Sequence, residues 1–405
     1  MQEFQTLAEI GNKSAQYNLG MMYLDGLGTK QDLVKAWAWI KLSDEDAQKE
    51  QELLANIEKH LVEDKKQEAE FYYNSIFGSF GKQALVSQLM PVFNDRVEEV
   101  RPNITPIKTV PPKYPATAQL KGIEGWVKLS FGLTADGSPT EIVVTDSYPK
   151  GVFDKETIKA VKQWQFEIVE EDLSQKMDYF IAYQFSTRSG FSRKIKNAID
   201  QVEALANEGD FLAQYYYAKY APIVFPKKKV NSTEWFYKAA QGGIADAQYE
   251  VALNLLEGKG CEQDKEKGIN WLLKSASGNL GRSQFKLAEL FLEMDNQEKG
   301  VFWLTKAVYA KDKEIAYELA KFLDESSFQQ FDSKTVLEQL QLVDEKAIDT
   351  PIRLYELYAK TYADLGNYEE AVDYQKKANK LMRKISKVTD EMTQKLELYK
   401  SNNKS

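Results

Sequence analysis

The chain has 405 residues and a formal net charge of -8 at pH 7. Its length favours two or three domains, and its acidity argues against a nucleic-acid partner, because phosphate contacts need a concentrated cationic face. The single cysteine, Cys261, and the single histidine, His60, exclude an internal disulfide and a Cys/His metal cluster. We expect no metal and no cofactor.

The N-terminal region reads as one helix pair followed by a charged helix. The segment GNKSAQYNLGMMYLDGLG begins at Gly11, and a second apolar helix, KAWAWIKLS, begins at Lys35. The charged segment that follows has one narrow apolar stripe. We predict a first domain over residues 1–60 and a helical linker over residues 61–100, where glycines and a proline interrupt the helical pattern.

Residues 101–190 change their hydrophobic period twice. Apolar residues alternate through GWVKLSFGL, as in a strand with one buried face, and Asp136-Gly137 then favours a hairpin turn. After Gly151 the apolar spacing becomes three and four residues, which predicts an amphipathic helix ending in Trp164-Gln165-Phe166. A last alternating run, MDYFIAYQF, is typical of another strand. We predict a three-stranded antiparallel sheet with one covering helix.

Residues 191–350 repeat the N-terminal unit. The related segments GDFLAQYYYAKY, GIADAQYEVALNLLEGKG and GNLGRSQFKLAELFLE begin at Gly209, Gly243 and Gly278. Their equivalent small residues, Ala213, Ala247 and Ser283, lie 34 and 36 residues apart. A period of this length with paired amphipathic helices predicts an α-solenoid. Helical spacing favours a core role for the tryptophans of the second helices: Trp37, Trp39, Trp235, Trp271 and Trp303.

Residues 351–405 predict one more helix pair and a polar C-terminal helix. The segment from Leu354, LYELYAKTYADLGNYEEAVDYQKKANKLM, resembles a tetratricopeptide motif. The Gly-x-x-x-Ala-Gln-Tyr start, the glycine-rich turn and the Lys-Ala-Trp-x-Trp helix of the other units resemble the Sel-one-like repeat, a relative of that motif. Small residues in such units allow two helices to approach closely.

The middle segment carries a second resemblance. Its Tyr-Pro step, the Glu-Gly start of its first strand, its Asp-Gly turn and its Trp-x-Phe are similar to the C-terminal domain of TonB. That family carries energy from the inner membrane of Gram-negative bacteria to outer-membrane transporters. The expected fold class is α+β multidomain: an α-solenoid of Sel-one-like and tetratricopeptide-like helix pairs, with a small TonB-like domain inserted between repeats.

The TonB resemblance implies a partner-binding site on the last strand of this domain. In TonB that strand is a sheet edge that receives an extended peptide, and edges present unpaired backbone groups. Here the strand corresponds to about residues 176–186, with the Tyr-Pro step beside it. The family often places a proline shortly after Trp-x-Phe, and this chain departs from that pattern. The candidate partner-binding residues are Tyr114, Pro115, Tyr179, Ile181, Ala182, Tyr183, Gln184 and Phe185.

No catalytic motif stands out, because the chain lacks a phosphate-binding glycine loop and a GxSxG elbow; we expect no enzyme. The resemblance implies protein partners, either a TonB-dependent outer-membrane transporter or another cell-envelope protein, and a periplasmic location. No stretch approaches about 18 apolar residues, so we expect no membrane span. The sequence reads either as a mature form with an added initiator Met or as a chain that has lost an export signal or anchor.

Two functions remain open at this stage. The first is energy transduction in a TonB-type transport system, with strand addition on the TonB-like domain and a second partner on the repeats. The alternative is a cell-envelope scaffold in which the helical repeats do the binding and the TonB-like domain is structural.

Overall fold

The structure, a computed structural model, describes residues 1–45, 49–94, 105–133, 136–167, 179–186, 190–326, 328, 330–385 and 388–403. These residues are mainly helical, and the strands lie mostly between residues 105 and 185. The fold is therefore α+β and multidomain, as the sequence patterns predict. The contacts divide the chain into two compact units, one formed by residues 1–98, 202–218 and 230–306 and the other by residues 99–201, 219–229 and 307–405. The linear domain boundaries given above remain a prediction.

The helices, in chain order, are α1 (Gln2–Glu9), α2 (Lys13–Asp25), α3 (Leu33–Ser43), α4 (Gln51–His60), α5 (Glu63–Phe80), α6 (Lys82–Gln88), α7 (Ala116–Leu120), α8 (Asp154–Val161), α9 (Arg193–Asn207), α10 (Phe211–Val224), α11 (Ser232–Gln241), α12 (Ala245–Glu257), α13 (Lys265–Ser277), α14 (Gly281–Glu293), α15 (Gln297–Ala310), α16 (Ala316–Glu325), α17 (Ser333–Leu340), α18 (Ile352–Asp364), α19 (Tyr368–Ile385) and α20 (Asp390–Asn402). The strands are β1 (Thr105–Lys108), β2 (Gly125–Leu133), β3 (Pro139–Tyr148), β4 (Gln165–Glu167), β5 (Tyr179–Phe185) and β6 (Ile348–Asp349).

The helix ends of the first unit follow the repeat sequence. Side-chain oxygens accept backbone N–H groups at the N-caps Asn12, Asp32, Asn231 and Asp264. Gly26 and Gly258 end α2 and α12 in the left-handed conformation, at φ values of 70° and 74°. Because glycine adopts this conformation without a steric penalty, it sets where the first helix of the repeat stops.

A small residue followed by glutamine, Ala-Gln in three repeats and Ser-Gln in the fourth, has a structural role. The small residues Ala15, Ala213, Ala247 and Ser283 are all buried. The glutamine that follows each of them donates from Nε2 to an alanine carbonyl near the end of the preceding helix, at 3.0 to 3.3 Å: Gln16 to Ala8, Gln214 to Ala206, Gln248 to Ala240 and Gln284 to Ala276. The glutamine amide thus supplies a donor to a helix end that intrahelical bonds leave unsatisfied.

Four of the five repeat tryptophans are buried in the core, as predicted. Trp37, Trp39, Trp271 and Trp303 are each at most 7% exposed. Trp235 is half-buried, and its ring lies 5.0 Å from the ring of Tyr217.

The sheet of the second unit has the strand order β5-β2-β3-β6, and every neighbouring pair is antiparallel. The three predicted strands are present as β2, β3 and β5, but the predicted total of three is wrong. The two-residue strand β6 adds to β3, where it pairs Ile348 with Val143. The fourth strand comes from the C-terminal part of the chain.

The predicted helix end at Trp164-Gln165-Phe166 is also wrong. Helix α8 stops at Val161, and Gln165–Glu167 instead pair with β1 in a separate two-stranded ribbon. Two contacts hold the segment there: the Phe166 N–H donates to the carbonyl of Gly137 at 3.0 Å, and the indole of Trp164 donates to the carbonyl of Val110 at 2.8 Å.

The sheet and α8 enclose one apolar core. Its fully buried members include Val127, Leu129, Phe131, Phe153 and Val161. Trp164 packs against the edge of this core. Alternate residues of β2 supply one wall and α8 supplies the other, which is the packing that the periods of two and 3.6 predict.

A candidate strand-addition edge

Strand β5 lies at one end of the four-stranded sheet. Its register places Phe185 opposite Gly125 and Ile181 opposite Leu129 of β2. In the part of the chain that the structure describes, no strand lies on the other side of β5. Because backbone groups in a strand point alternately to its two sides, half of those on β5 point away from β2.

The side chains of β5 divide between the two faces of the sheet. Ile181 and Tyr183 are partly buried against the core, and Phe185 is 2% exposed. The ring of Phe185 stacks on Phe153, with 4.2 Å between centroids. The intervening Ala182 and Gln184 are exposed. Of the predicted strand, residues 176–178 and the Tyr179 side chain lie outside the described residues.

The Tyr-Pro step lies beside the end of β5. The phenol of Tyr114 donates to the carbonyl of Ile123 at 2.6 Å, and its ring packs edge-on against Phe185 at 5.8 Å. Burial raises the pKa of Tyr114, and the nearby Glu124 raises it further. Pro115 is the N-cap residue of α7. The predicted residues Tyr114 and Phe185 are therefore brought together, and Tyr114 fixes the arm that leads to β2.

The opposite face of the sheet contains a residue that the sequence analysis did not single out. Trp126 is 4% exposed, stacks on Tyr148 at 5.0 Å and lies 5.3 Å from the ring of Tyr220. The adjacent Gln184 donates from its amide to the carbonyl of Ile223. The signal was present in the sequence, since a tryptophan on the supposedly polar side of a strand indicates that part of this face is covered as well.

The other end of the sheet is closed by the chain itself. Besides the pairing of β3 with β6, Lys162 forms an ion pair with Asp349 at 2.5 Å. Arg353 Nη1 lies 3.9 Å from a carboxylate oxygen of Glu141 on β3. No periodic pattern in the sequence points to Glu141 or Asp349. The two ends of the sheet therefore differ, because β3 has a partner strand on its outer side.

The described residues contain no group of three or more His, Cys, Asp or Glu side chains that could hold a metal ion. Among the helices the structure describes, none is both long and apolar enough to cross a membrane. Cys261 is fully buried, and burial raises the pKa of its thiol to about 11. A thiol in this state is a poor nucleophile at neutral pH, because the thiolate is the reactive form.

Comparison with known proteins agrees with both resemblances. Residues 110–187 match the family model of the Gram-negative bacterial TonB protein C-terminal, and residues 13–43, 245–280 and 281–312 match the Sel1 repeat. Protein TonB of Pseudomonas aeruginosa is 45% identical over 65 residues, which are 16% of this chain and 19% of that protein. Protein TonB of Escherichia coli K12 is 38% identical over 56 residues, 14% of this chain and 23% of that protein.

A solution NMR structure of the Pseudomonas aeruginosa TonB CTD is 32% identical, covers 22% of this chain and 92% of that chain, and has a TM-score of 0.19. The matches to the two TonB proteins span only 19% and 23% of those proteins. The chain thus carries a TonB C-terminal segment at residues 110–187, with Sel1 repeats on both sides of it.

Proposed function

We propose that this protein is a periplasmic component of a TonB-type transport system that transduces energy through protein contacts. A TonB C-terminal segment and Sel1 repeats both support a role in protein interaction. In the proposed mechanism, β5 accepts an extended peptide of a TonB-dependent outer-membrane transporter as an added strand. The repeats hold a second protein partner.

The observation that carries this proposal is the difference between the two ends of the sheet. Strand β3 already pairs with β6, whereas β5 has a described strand neighbour only in β2. Main-chain hydrogen bonds to the outer side of β5 would provide the affinity, and side chains next to the edge would provide the selectivity. The exposed Ala182 leaves room for a bulky side chain of the incoming peptide.

The alternative function, a cell-envelope scaffold that binds through its repeats, is favoured by another observation. The TonB-like sheet is tied into the C-terminal helices by β6 and by the contacts of Glu141 with Tyr317 and Arg353. A domain fixed in this way could be a packing module of the array. The two functions differ in whether β5 binds a peptide.

A proline at Ala182 tests the proposal, because it removes one backbone donor of β5 and distorts the edge. The matched control is Ala182→Ser, which keeps the N–H and a small side chain. Capture of synthetic peptides from the plug of a TonB-dependent transporter should fall at least about ten-fold for Ala182→Pro, as expected when main-chain bonds of the edge carry the affinity, and stay unchanged for Ala182→Ser. Phe71→Ser, at a 79% exposed position on α5, should leave capture intact.

Circular dichroism and thermal melting of each variant separate a lost edge from a lost fold, since proline is tolerated on some edge strands. If the wild-type chain captures no plug peptide, or if the folded Ala182→Pro variant captures it equally well, strand addition at β5 is ruled out. The scaffold function then takes its place.

A further inference from the structure

A short segment of the first unit lies against the Sel1 repeats, and we call residues 89–94 the strap. Leu89 ends α6 at φ -92° and ψ 1°, and the non-helical residues that follow it continue the alternation of buried and exposed side chains. Leu89 and Pro91 are buried, whereas Met90 and Val92 are 46% and 52% exposed. The ring of Phe93 packs edge-on against Tyr237, with 5.8 Å between centroids.

The polar contacts that the strap makes with the described residues of the repeats involve its main chain. The indole of Trp271 donates to the carbonyl of Leu89 at 2.9 Å, and Lys267 Nζ donates to the carbonyl of Met90 at 2.9 Å. Further along, the Glu262 N–H donates to the carbonyl of Val92 at 2.8 Å, and the Asn94 N–H donates to the carbonyl of Gly260 at 3.2 Å. The Asn231 amide donates to the carbonyl of Asn94 at 3.4 Å.

The repeats hold the receiving backbone in place. Asn231 donates to the carbonyl of Gly260 at 2.8 Å, and Thr233 Oγ1 donates to the carbonyl of Lys259 at 2.7 Å. Gly260 has a φ of 67°, and a Cβ there would lie 2.6 Å from Asn231 Oδ1. These contacts hold the backbone of the glycine-rich loop in one conformation. The strap pairs with this loop through an antiparallel β-bridge between Phe93 and Cys261.

We propose that this groove, formed by residues 231–237, 260–262 and 267–271, is a peptide-binding site that the strap occupies in cis. Five hydrogen bonds recognise the strap backbone, so its polar recognition does not depend on sequence. Selectivity comes from the inward positions, which hold a leucine, a proline and an aromatic residue. The occupant in trans is an extended segment of a partner protein with an aliphatic, a proline and an aromatic residue at alternate positions.

The proposal names a site for the second partner assigned above to the repeats and rests on that part of the proposed function. It is independent of β5. Because the strap is tethered, its effective concentration at the groove is high, in the millimolar range for short flexible tethers. A partner peptide therefore competes poorly with the intact strap and binds well once the strap is released.

The experiment compares the full chain with a full-length variant whose residues 89–94 are replaced by glycine and serine. The probe is a fluorescent peptide of residues 86–95, followed by anisotropy, with a scrambled peptide as control. We expect binding to the variant to be at least about ten-fold tighter than to wild type, as removal of a tethered competitor requires. Equal binding to both proteins, or none to the folded variant, would overturn the proposal.

Two further variants in the strap-replaced background test the groove residues. Trp271→Phe keeps an aromatic, though smaller, ring and removes the indole N–H donor, and should weaken peptide binding several-fold. Trp303→Phe, at another buried tryptophan of the same unit, should leave binding unchanged. If the two variants behave alike, the peptide binds elsewhere and the proposal fails.

If the strap-replaced variant does not fold, hydrogen exchange of the wild-type protein tests the proposal instead. The Glu262 amide should exchange faster than the core amides of α12 and α13, because the strap opens locally. Exchange only by global unfolding would make the strap an inseparable part of the core and overturn the proposal. A wild-type dimer joined by exchanged straps would instead identify the occupant as a second copy, against the proposed partner.

The peptide test is separable from the test of β5. In the strap-replaced background Ala182→Pro should retain binding of the strap peptide, and in the full chain Trp271→Phe should retain capture of transporter plug peptides. Failure at one site therefore leaves the result at the other site informative.

Discussion

The phenol of Tyr317 donates a hydrogen bond to a carboxylate oxygen of Glu141, which ties α16 to the start of β3. Glu141 has a φ of 49°, in the left-handed region that residues other than glycine seldom adopt. Burial raises the pKa of Tyr317 well above its ordinary value, and the negative charge of Glu141 adds to this effect. The contact joins the TonB-like sheet to the C-terminal helices within one compact unit.

Tyr317→Phe should therefore destabilise the protein. It removes a hydrogen bond to a charged group, whose loss typically costs about 1.5–3 kcal/mol, and leaves Glu141 with a buried oxygen. Urea unfolding gives the free energy directly. The control is Tyr309→Phe, at a 76% exposed position, which should change the free energy by less than about 0.5 kcal/mol. Equal effects of the two substitutions would show that the Tyr317 hydroxyl contributes nothing.

Gly125→Ala should destabilise the sheet by about 1–3 kcal/mol or more, because the added methyl group overpacks a filled site. A Cβ at Gly125 would overlap the carbonyl oxygen of Tyr148 and lie 2.9 Å from the ring of Phe153. Gly132→Ala, in the same strand, is the matched control, since its nearest neighbour is Thr140 Cγ2 at 3.6 Å. Thermal melts of the two variants should differ clearly, and a Gly125→Ala variant as stable as Gly132→Ala would contradict the described packing of β2.

Gln214→Leu should cost about 1–3 kcal/mol, because the carbonyl of Ala206 loses its donor in a buried site. The change keeps side-chain size and helix propensity nearly constant, and it also removes the buried Oε1 of Gln214, which accepts no hydrogen bond from the described residues. Gln51→Leu, at an exposed position of α4, serves as control and should be near neutral. Denaturant titration followed by circular dichroism measures both. A neutral Gln214→Leu would mean that the Ala-Gln pair recurs in these repeats for another reason.

Lys274 should make stability depend on pH. Burial and the neighbouring Lys13 lower its pKa to about 8, from 10.5 for the free side chain. Between these values the unfolded chain binds more protons than the folded chain, so the free energy of unfolding rises with pH. Below about pH 8 the cost of the buried charge is present in full.

Melting temperatures at about pH 7.5 and about pH 9.5 test this dependence. The upward slope should be smaller in Lys274→Met than in wild type and unchanged in Lys265→Met, at an exposed position of the same helix. Identical slopes in all three proteins would show that Lys274 titrates at its ordinary pKa.

Much of this fold follows from local sequence patterns. The alternation through β2, the Asp136-Gly137 turn and the spacing of α8 each depend on neighbouring residues, so the periods identify them. The repeat helices follow for the same reason. The edge position of β5, in contrast, has no local signature, and it was the likeness to TonB that pointed to it.

The features that the sequence did not reveal depend on distant partners. Strand β6 has only two residues and carries no period, and it exists because β3 lies beside it. Phe166 fits a helical spacing but lies in β4, since β1 and the carbonyl of Gly137 offer it a strand partner. Pro91 predicted a break in the helical linker, but not that the following residues would lie in a groove of the repeats.

The groove contains a cysteine, Cys261, whose reactivity can be used to follow its opening. Cys261 is the one cysteine of the sequence, is fully buried and bridges to Phe93 of the strap. A thiol-specific reagent can reach this buried sulfur only when the structure around it opens. The rate of alkylation of the unmodified protein therefore measures how fast the structure around Cys261 opens. The measurement needs no introduced dye or added cysteine, and no second thiol contributes background.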